Sequence, residues 1–236
     1  MKRSFVFCFL FLSLSISIWA KDPQPAQDLL KRATALQSVA SSYTEASEKE
    51  CYWKPKSPKT QDCMQKQVSF YNQEAGAGSF VFDPQLNVIR YTGLHFQQIL
   101  DQYPGTSAAA EADYFLLTKQ LVGHPDVVLP RVKNYLQRNP EEKWQSKGLL
   151  LWARLNEDAW WIHRKWSWVL YNGEVSPEEL IVKSEPYRQE ALRTFERIVK
   201  EFKKFPESKP AKQELKLLKE YKTDGVLYGI MNETRK

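Results

Sequence analysis

Phe96-Gln-Gln-Ile99-Leu100-Asp-Gln-Tyr103-Pro104-Gly-Thr-Ser107-Ala-Ala-Ala110-Glu-Ala112-Asp-Tyr114-Phe115 decides the fold. Apolar residues at steps of three and four mark one face of a helix, which stops at Tyr103-Pro104-Gly105 because proline lacks the N–H that the next turn needs. Ser107 then restarts the chain on alanines, small enough for a second helix to pack closely. Related stops recur at Asn139-Pro140 and Phe205-Pro206, so Pro104, Pro140 and Pro206 are separated by 36 and 66 residues. Those intervals are close to one and then two units of a helix-pair repeat.

Working outward, most of the chain reads as helix. From Pro25 to about Glu50, Leu29, Leu30, Ala33, Leu36, Ala40, Tyr43 and Ala46 form an apolar stripe. Met64 to Glu74 continues as a shorter helix through Val68 and Tyr71, broken by Ala75-Gly76-Ala77-Gly78-Ser79. Phe80-Val81-Phe82 reads as linker or a brief extended segment, with no partner strand in view. Asp83-Pro84 has the form of a helix cap, and Leu86, Ile89, Gly93, Phe96, Leu100 and Tyr103 then predict one continuous helix. Gly93 within that stripe predicts the close approach of a neighbouring helix. Helices follow from Ser107, from Asp126 and from Glu141 to about Tyr171. The next start signals are Ser176-Pro177, repeated at Ser184-Glu185-Pro186, and Ser208 with Pro210 opens the last helix.

Lys2 and Arg3 precede an apolar run from Phe5 to Trp19, with Ala20 before a polar stretch. That pattern predicts a secretory signal peptide cleaved near Ala20 and a periplasmic or secreted product with no membrane span. Cys8 falls inside the apolar run, where no small residues precede it to favour lipid modification. Removing residues 1–20 lowers the formal charge from +6 to +4. The remaining surplus is mixed with acids along the chain and argues against a nucleic-acid partner. Cys51 and Cys63, twelve positions apart, are then an even pair, most simply a disulfide in an oxidising compartment.

Residues 92–117 resemble the junction between tetratricopeptide repeats, in the version found in bacterial envelope proteins of the outer-membrane assembly lipoprotein type. Phe96 and Pro104 stand eight apart like that repeat's large aromatic and terminal proline, and Ser107, Ala110 and Tyr114 resemble the opening of its next helix. Ala191 with Phe195 and Trp152 with Leu155 are partial matches; Thr92, Val128, Val132 and Asn156 depart from the pattern. The resemblance implies an all-α fold, a right-handed, irregular stack of antiparallel helix pairs (a TPR-like α-solenoid). Nothing before residue 84 fits the repeat; together with the signal pattern and the cysteine pair, the expected division is a signal peptide (1–20), disulfide-closed N-terminal helices (21–83), a repeat region (84–222) and a tail (223–236).

Such stacks hold other proteins, so the expected function is an exported binding or scaffold protein with a protein or peptide partner in the envelope. The expected site lies in the tryptophan-rich segment 144–171. Trp161, Lys165 and Trp168 project together from a face other than the one carrying Trp152, Leu155, Ala159 and Ile162, with Trp160 and Arg164 beside them. Stacking and cation–π contact there could hold a peptide, a glycan ring or an acidic motif. The competing expectation is that neighbouring repeats or the N-terminal segment cover this face as core. Catalysis is not expected, since His95, His124 and His163 show no metal-ligand spacing, and no nucleophile elbow, P-loop or dinucleotide fingerprint occurs. No cofactor is expected either. Glu157-Asp158 beside the tryptophans leaves one enzymatic alternative, a glycan-binding or glycan-cleaving protein.

Overall fold

The structure, a computed structural model, describes residues 23–51, 57–165 and 174–230. Among them are eight helices and two short strands: α1 (Gln24–Cys51), α2 (Pro58–Ala75), β1 (Phe80–Asp83), β2 (Val88–Tyr91), α3 (Leu94–Gln102), α4 (Ser107–Thr118), α5 (Pro125–Arg138), α6 (Glu142–Lys165), α7 (Pro177–Glu201) and α8 (Ser208–Lys219). The described residues are therefore mostly helical, with a β-hairpin formed by Phe80–Asp83 and Val88–Tyr91.

The hairpin corrects the reading of Asp83-Pro84 as a helix start. β1 and β2 pair antiparallel in the register Phe80↔Tyr91, Val81↔Arg90, Phe82↔Ile89 and Asp83↔Val88. Asp83 caps the turn and not a helix, its Oδ1 accepting the N–H groups of Gln85 (2.9 Å) and Leu86 (3.1 Å). Side chains from the helices stand in for further strands. Asn72 accepts from Phe80 N (2.8 Å) and donates to Phe80 O (3.0 Å), while Thr44 Oγ1 accepts from Ile89 N (2.9 Å). Phe80, Ile89 and Tyr91 are buried, and β2 lies against α1. Helix begins only at Leu94, because Gly93 adopts φ 87°. A Cβ on Gly93 would come 2.8 Å from Leu116 Cδ2, so the close approach of a neighbouring helix is present, from α4.

Cys51, the last residue of α1, is bonded to Cys63 in the second turn of α2, with Cα atoms 5.5 Å apart. α2 starts earlier than its apolar pattern predicts: Ser57 caps it by accepting from Thr60 N (3.2 Å), and Pro58 occupies the first turn. At the other end, α7 runs unbroken through Pro186, so Ser184-Glu185-Pro186 is not a second start.

Three apolar clusters follow one another along the chain. The first joins α1, α2, the hairpin and α3 to Ala108, Ala109 and Ala112 of α4. On the other side of α4, Ala110 and Leu117 enter a second cluster with Val128, Val132 and Tyr135 of α5 and Leu151, Leu155, Ala159 and Ile162 of α6. α6 is shared in the same way, because Leu149, Leu150, Ala153 and Trp160 face a third cluster with Ala191, Phe195 and Ile198 of α7 and Ala211 and Leu218 of α8. Helices buried on two sides need small residues at their crossings. At Gly148 an added Cβ would lie 2.6 Å from Leu136 Cδ2 and 2.9 Å from Tyr135 Cε1, which sets how closely α5 and α6 approach.

After α8 the chain turns back, and residues 223–230 lie along α6. Ile230, 1% exposed, joins the second cluster, and its N–H donates to Leu121 O at 2.7 Å.

Candidate functional site

The tryptophans of α6 divide between packing and surface. Trp160 is buried in the third cluster, with Arg164 Cζ 5.6 Å above its ring. Trp144 is fully buried, and Lys143 and Lys147 place their Nζ atoms 4.5 and 4.7 Å from its ring. Trp152 donates its Nε1–H to Glu190 Oε1 at 2.9 Å. Trp161 is half-buried, and Arg164 and Lys165 are exposed at the helix end. Trp168, with Trp166, lies outside the described residues. The expected site residues are thus not equivalent: Trp160 faces inward, while Arg164 and Lys165 face solvent.

Each histidine has a hydrogen-bond partner close by in the chain. His163 is 1% exposed with Nδ1 2.6 Å from Ala159 O, and burial holds its pKa below the ordinary range. His95 is buried with Nδ1 3.0 Å from Tyr91 Oη, and His124 caps α5. Among the described residues no group of His, Cys, Asp or Glu is arranged to hold a metal ion.

The face of α6 that carries Trp161 also carries Glu157 and Asp158, and residues 223–230 cover it. Asp158 Oδ2 accepts the N–H groups of Tyr228 and Gly229, each at 2.8 Å. Burial pushes its pKa up to about 7 against the opposing pull of those two hydrogen bonds. Arg154 is held by Glu214, with Nε 3.0 Å from Oε2, and its guanidinium lies 4.1 Å from the centre of the Tyr228 ring. Tyr228 Oη donates to Asp224 Oδ2 at 2.6 Å. Glu157 has no such partner. It is 3% exposed and neither carboxyl oxygen makes a hydrogen bond. Burial, followed by the charges of Glu214, Asp224 and Asp158, pushes its pKa up to about 9. Beside it is a recess of about 110 Å³ lined by Asp158, Trp161, Thr223, Gly225, Val226 and Leu227.

A larger groove of about 830 Å³ opens elsewhere, between the two proline junctions. Pro104 and Gly105 border it on one side, Asn139 and Pro140 on the other, with Trp144 at its α6 end. Ala109, Ala110, Leu116 and Leu117 of α4 supply apolar lining, while Gln97, Gln120, Arg131, Asn134 and Arg138 supply polar groups. Asp113 stiffens it: Arg138 binds Asp113 through Nη2–Oδ1 (2.9 Å) and Nε–Oδ2 (3.2 Å), and Asn139 Nδ2 donates to Oδ2 at 2.8 Å. Arg131 donates to Gln120 O at 2.7 Å. Sequence reasoning marked the proline junctions, Ala110 and Trp144 but assigned no role to Gln97, Gln120, Arg131 or Asn134. Their only signal was position, on the helices that the two prolines enclose.

Compared with known proteins, the chain matches no family model, no curated protein and no solved structure.

Proposed function

We propose that the protein is an exported helical-repeat binding protein whose α3–α6 groove holds an extended peptide segment of a partner in the cell envelope. The observation that carries this is the groove itself: about 830 Å³, bordered by the same proline junctions that punctuate the sequence. That volume lies in the range of ligand-binding clefts, roughly 300–1,000 Å³, with an apolar floor and a few placed polar groups. Side-chain amides at Gln97, Gln120 and Asn134 suit the backbone of an extended peptide, and Arg131 suits an acidic side chain. The passing of one core to the next across α4 and α6 supports the TPR-like, right-handed stack of helix pairs. Export is supported by the charged and apolar first residues and by the Cys51–Cys63 bond.

The glycan-active alternative draws on Glu157. That carboxyl sits in a recess of about 110 Å³, well below the size of such clefts, so the groove is the better-supported site.

Selection from a displayed library of random peptides against the purified protein tests the proposal. Enriched peptides should bind wild type in solution and lose at least about tenfold in affinity on Arg131→Glu combined with Asn134→Ala, two positions whose change leaves the core intact. Failure to enrich any peptide, or equal binding by the double variant, would overturn it.

A further inference from the structure

The face of α6 under residues 223–230 has a charge imbalance. Four carboxyl groups, Glu157, Asp158, Glu214 and Asp224, converge with one guanidinium, Arg154. Three of the four are accounted for. Glu214 holds Arg154, Asp158 takes two backbone N–H groups, and Asp224 takes the Tyr228 hydroxyl. Glu157 is left, 97% buried on its 3% residual exposure, with both oxygens unpartnered and an open recess beside it. Leaving a buried polar group without a partner is unfavourable, and a carboxyl placed so beside a recess calls for a complementary donor or cation.

The surroundings select the class of ligand. Trp161, Val226 and Leu227 give the recess apolar and aromatic walls, which suit an alkyl chain and, through the indole, a cation. Exposed Gly225 and Val226 stand at its outer side. At about 110 Å³ the recess suits a short alkyl chain with its head group. A divalent metal is the wrong fit. It needs several oxygen ligands, and Asp158 is already committed to the backbone.

We propose that the Glu157 recess is a binding site for a primary alkylammonium group, either a free amine or a lysine side chain of a partner, with Glu157 as its counter-ion. The recess shares no lining residue with the α3–α6 groove, so the two assignments stand or fall separately. Binding exchanges a proton for the ligand. The Glu157 carboxylic acid releases its proton to solvent and the resulting carboxylate pairs with the incoming ammonium, so charge balances. The groups that face this exchange are Arg154 and Asp158 on α6, Glu214 on α8, and Asp224 and Tyr228 in the covering stretch.

The test is titration of the ¹⁵N-labelled protein with n-butylammonium chloride at constant ionic strength, with 1-pentanol as the neutral isostere and a terminally blocked Gly-Lys-Gly peptide as the side-chain form. Expected are saturable shifts of the Val226 and Leu227 amides by butylammonium and none by pentanol. Between pH 6 and pH 8, affinity should rise about tenfold per unit, since one proton leaves per ligand bound and an alkylammonium stays charged below about pH 10. Binding of the peptide as well as butylammonium assigns the site to a partner's lysine; binding of butylammonium alone assigns it to a free amine. Glu157→Gln should weaken either ligand at least tenfold. The proposal is overturned by no saturable shift, by equal binding of pentanol, by equal binding to the Gln variant, or by a flat pH profile in wild type. The profile needs no variant and decides the matter even if the variant does not fold.

Discussion

Glu157→Gln is expected to stabilise the unliganded protein, and to do so more as pH rises. In the unfolded chain the Glu157 carboxyl titrates near 4.5, whereas in the fold burial and three neighbouring carboxyls push it up to about 9. Between those values the folded state holds a proton that the unfolded state has released. Stability therefore falls with rising pH across the window, by about 1.4 kcal/mol per unit for one group. Asp158, pushed up to about 7 from 3.8, adds a second falling slope that ends near pH 7. At pH 8 the Glu157 share reaches at most about 5 kcal/mol, which is 3.5 units at that slope. Water entry and movement of residues 223–230 relieve part of it, so the expectation is about 2 kcal/mol or more.

Glutamine has the shape of the neutral acid and cannot ionise, so it should match wild type closely near pH 5 and exceed it at pH 8. Urea denaturation of both proteins at the two pH values measures this. For a chain of this length, about 2 kcal/mol also corresponds to a rise of roughly 4–8 °C in Tm. A variant less stable than wild type at pH 8, or a difference that is the same at both pH values, would show that Glu157 is not an ionisable group held neutral by burial.

Gly148→Ala should lose about 1 kcal/mol or more by urea denaturation: overpacking against Leu136 and Tyr135 outweighs the roughly 1 kcal/mol by which alanine ordinarily favours a helix over glycine. Replacing Cys51 and Cys63 together by alanine should cost about 3 kcal/mol, measured against the oxidised protein, because the bond closes a loop between α1 and α2. Gly229→Ala would bring a Cβ to 2.6 Å from Leu121 O, so exchange of the Tyr228 and Gly229 amides with deuterium should quicken at least about tenfold while helical circular dichroism is kept. Asp113→Ala leaves Arg138 and Asn139 without their shared acceptor and should cost about 2 kcal/mol, with Asp113→Asn retaining part of it in thermal melts.

Helices were legible where their cause is local. Pro104 and Pro140 stop helices in sequence and in space, and the Cys51–Cys63 pair was readable from the even count left once Cys8 is set aside. The hairpin was not, because Leu86, Ile89 and Gly93 satisfy the helical spacing as well as any helix does. What chooses strand at Ile89 is Thr44, 45 residues away, and at Phe80 it is Asn72. Pro186 misled in the opposite sense: its local start signal is overridden within α7, a helix whose Ala191, Phe195 and Ile198 lock it against α6.

The surplus of tryptophan in α6 has the same kind of explanation. With about 100° between successive residues, Leu151, Leu155 and Ile162 point one way and Ala153 and Trp160 another, so two faces are taken by neighbouring helices. Arg154, Glu157, Asp158, Trp161 and Lys165 fall on a third, between those two. On an ordinary surface helix that face would be solvated, and acids there would signal nothing. Here residues 223–230 return to cover it from Arg154 to Trp161, and the covering turns a commonplace Glu157 into a buried acid. The cover was anticipated from neighbouring repeats or from the N-terminal segment; it comes from the C-terminal end. The same local pattern thus carries a site or a plain surface depending on a segment some 70 residues away. Periodicity could point to the face, and only the returning chain gives it chemistry.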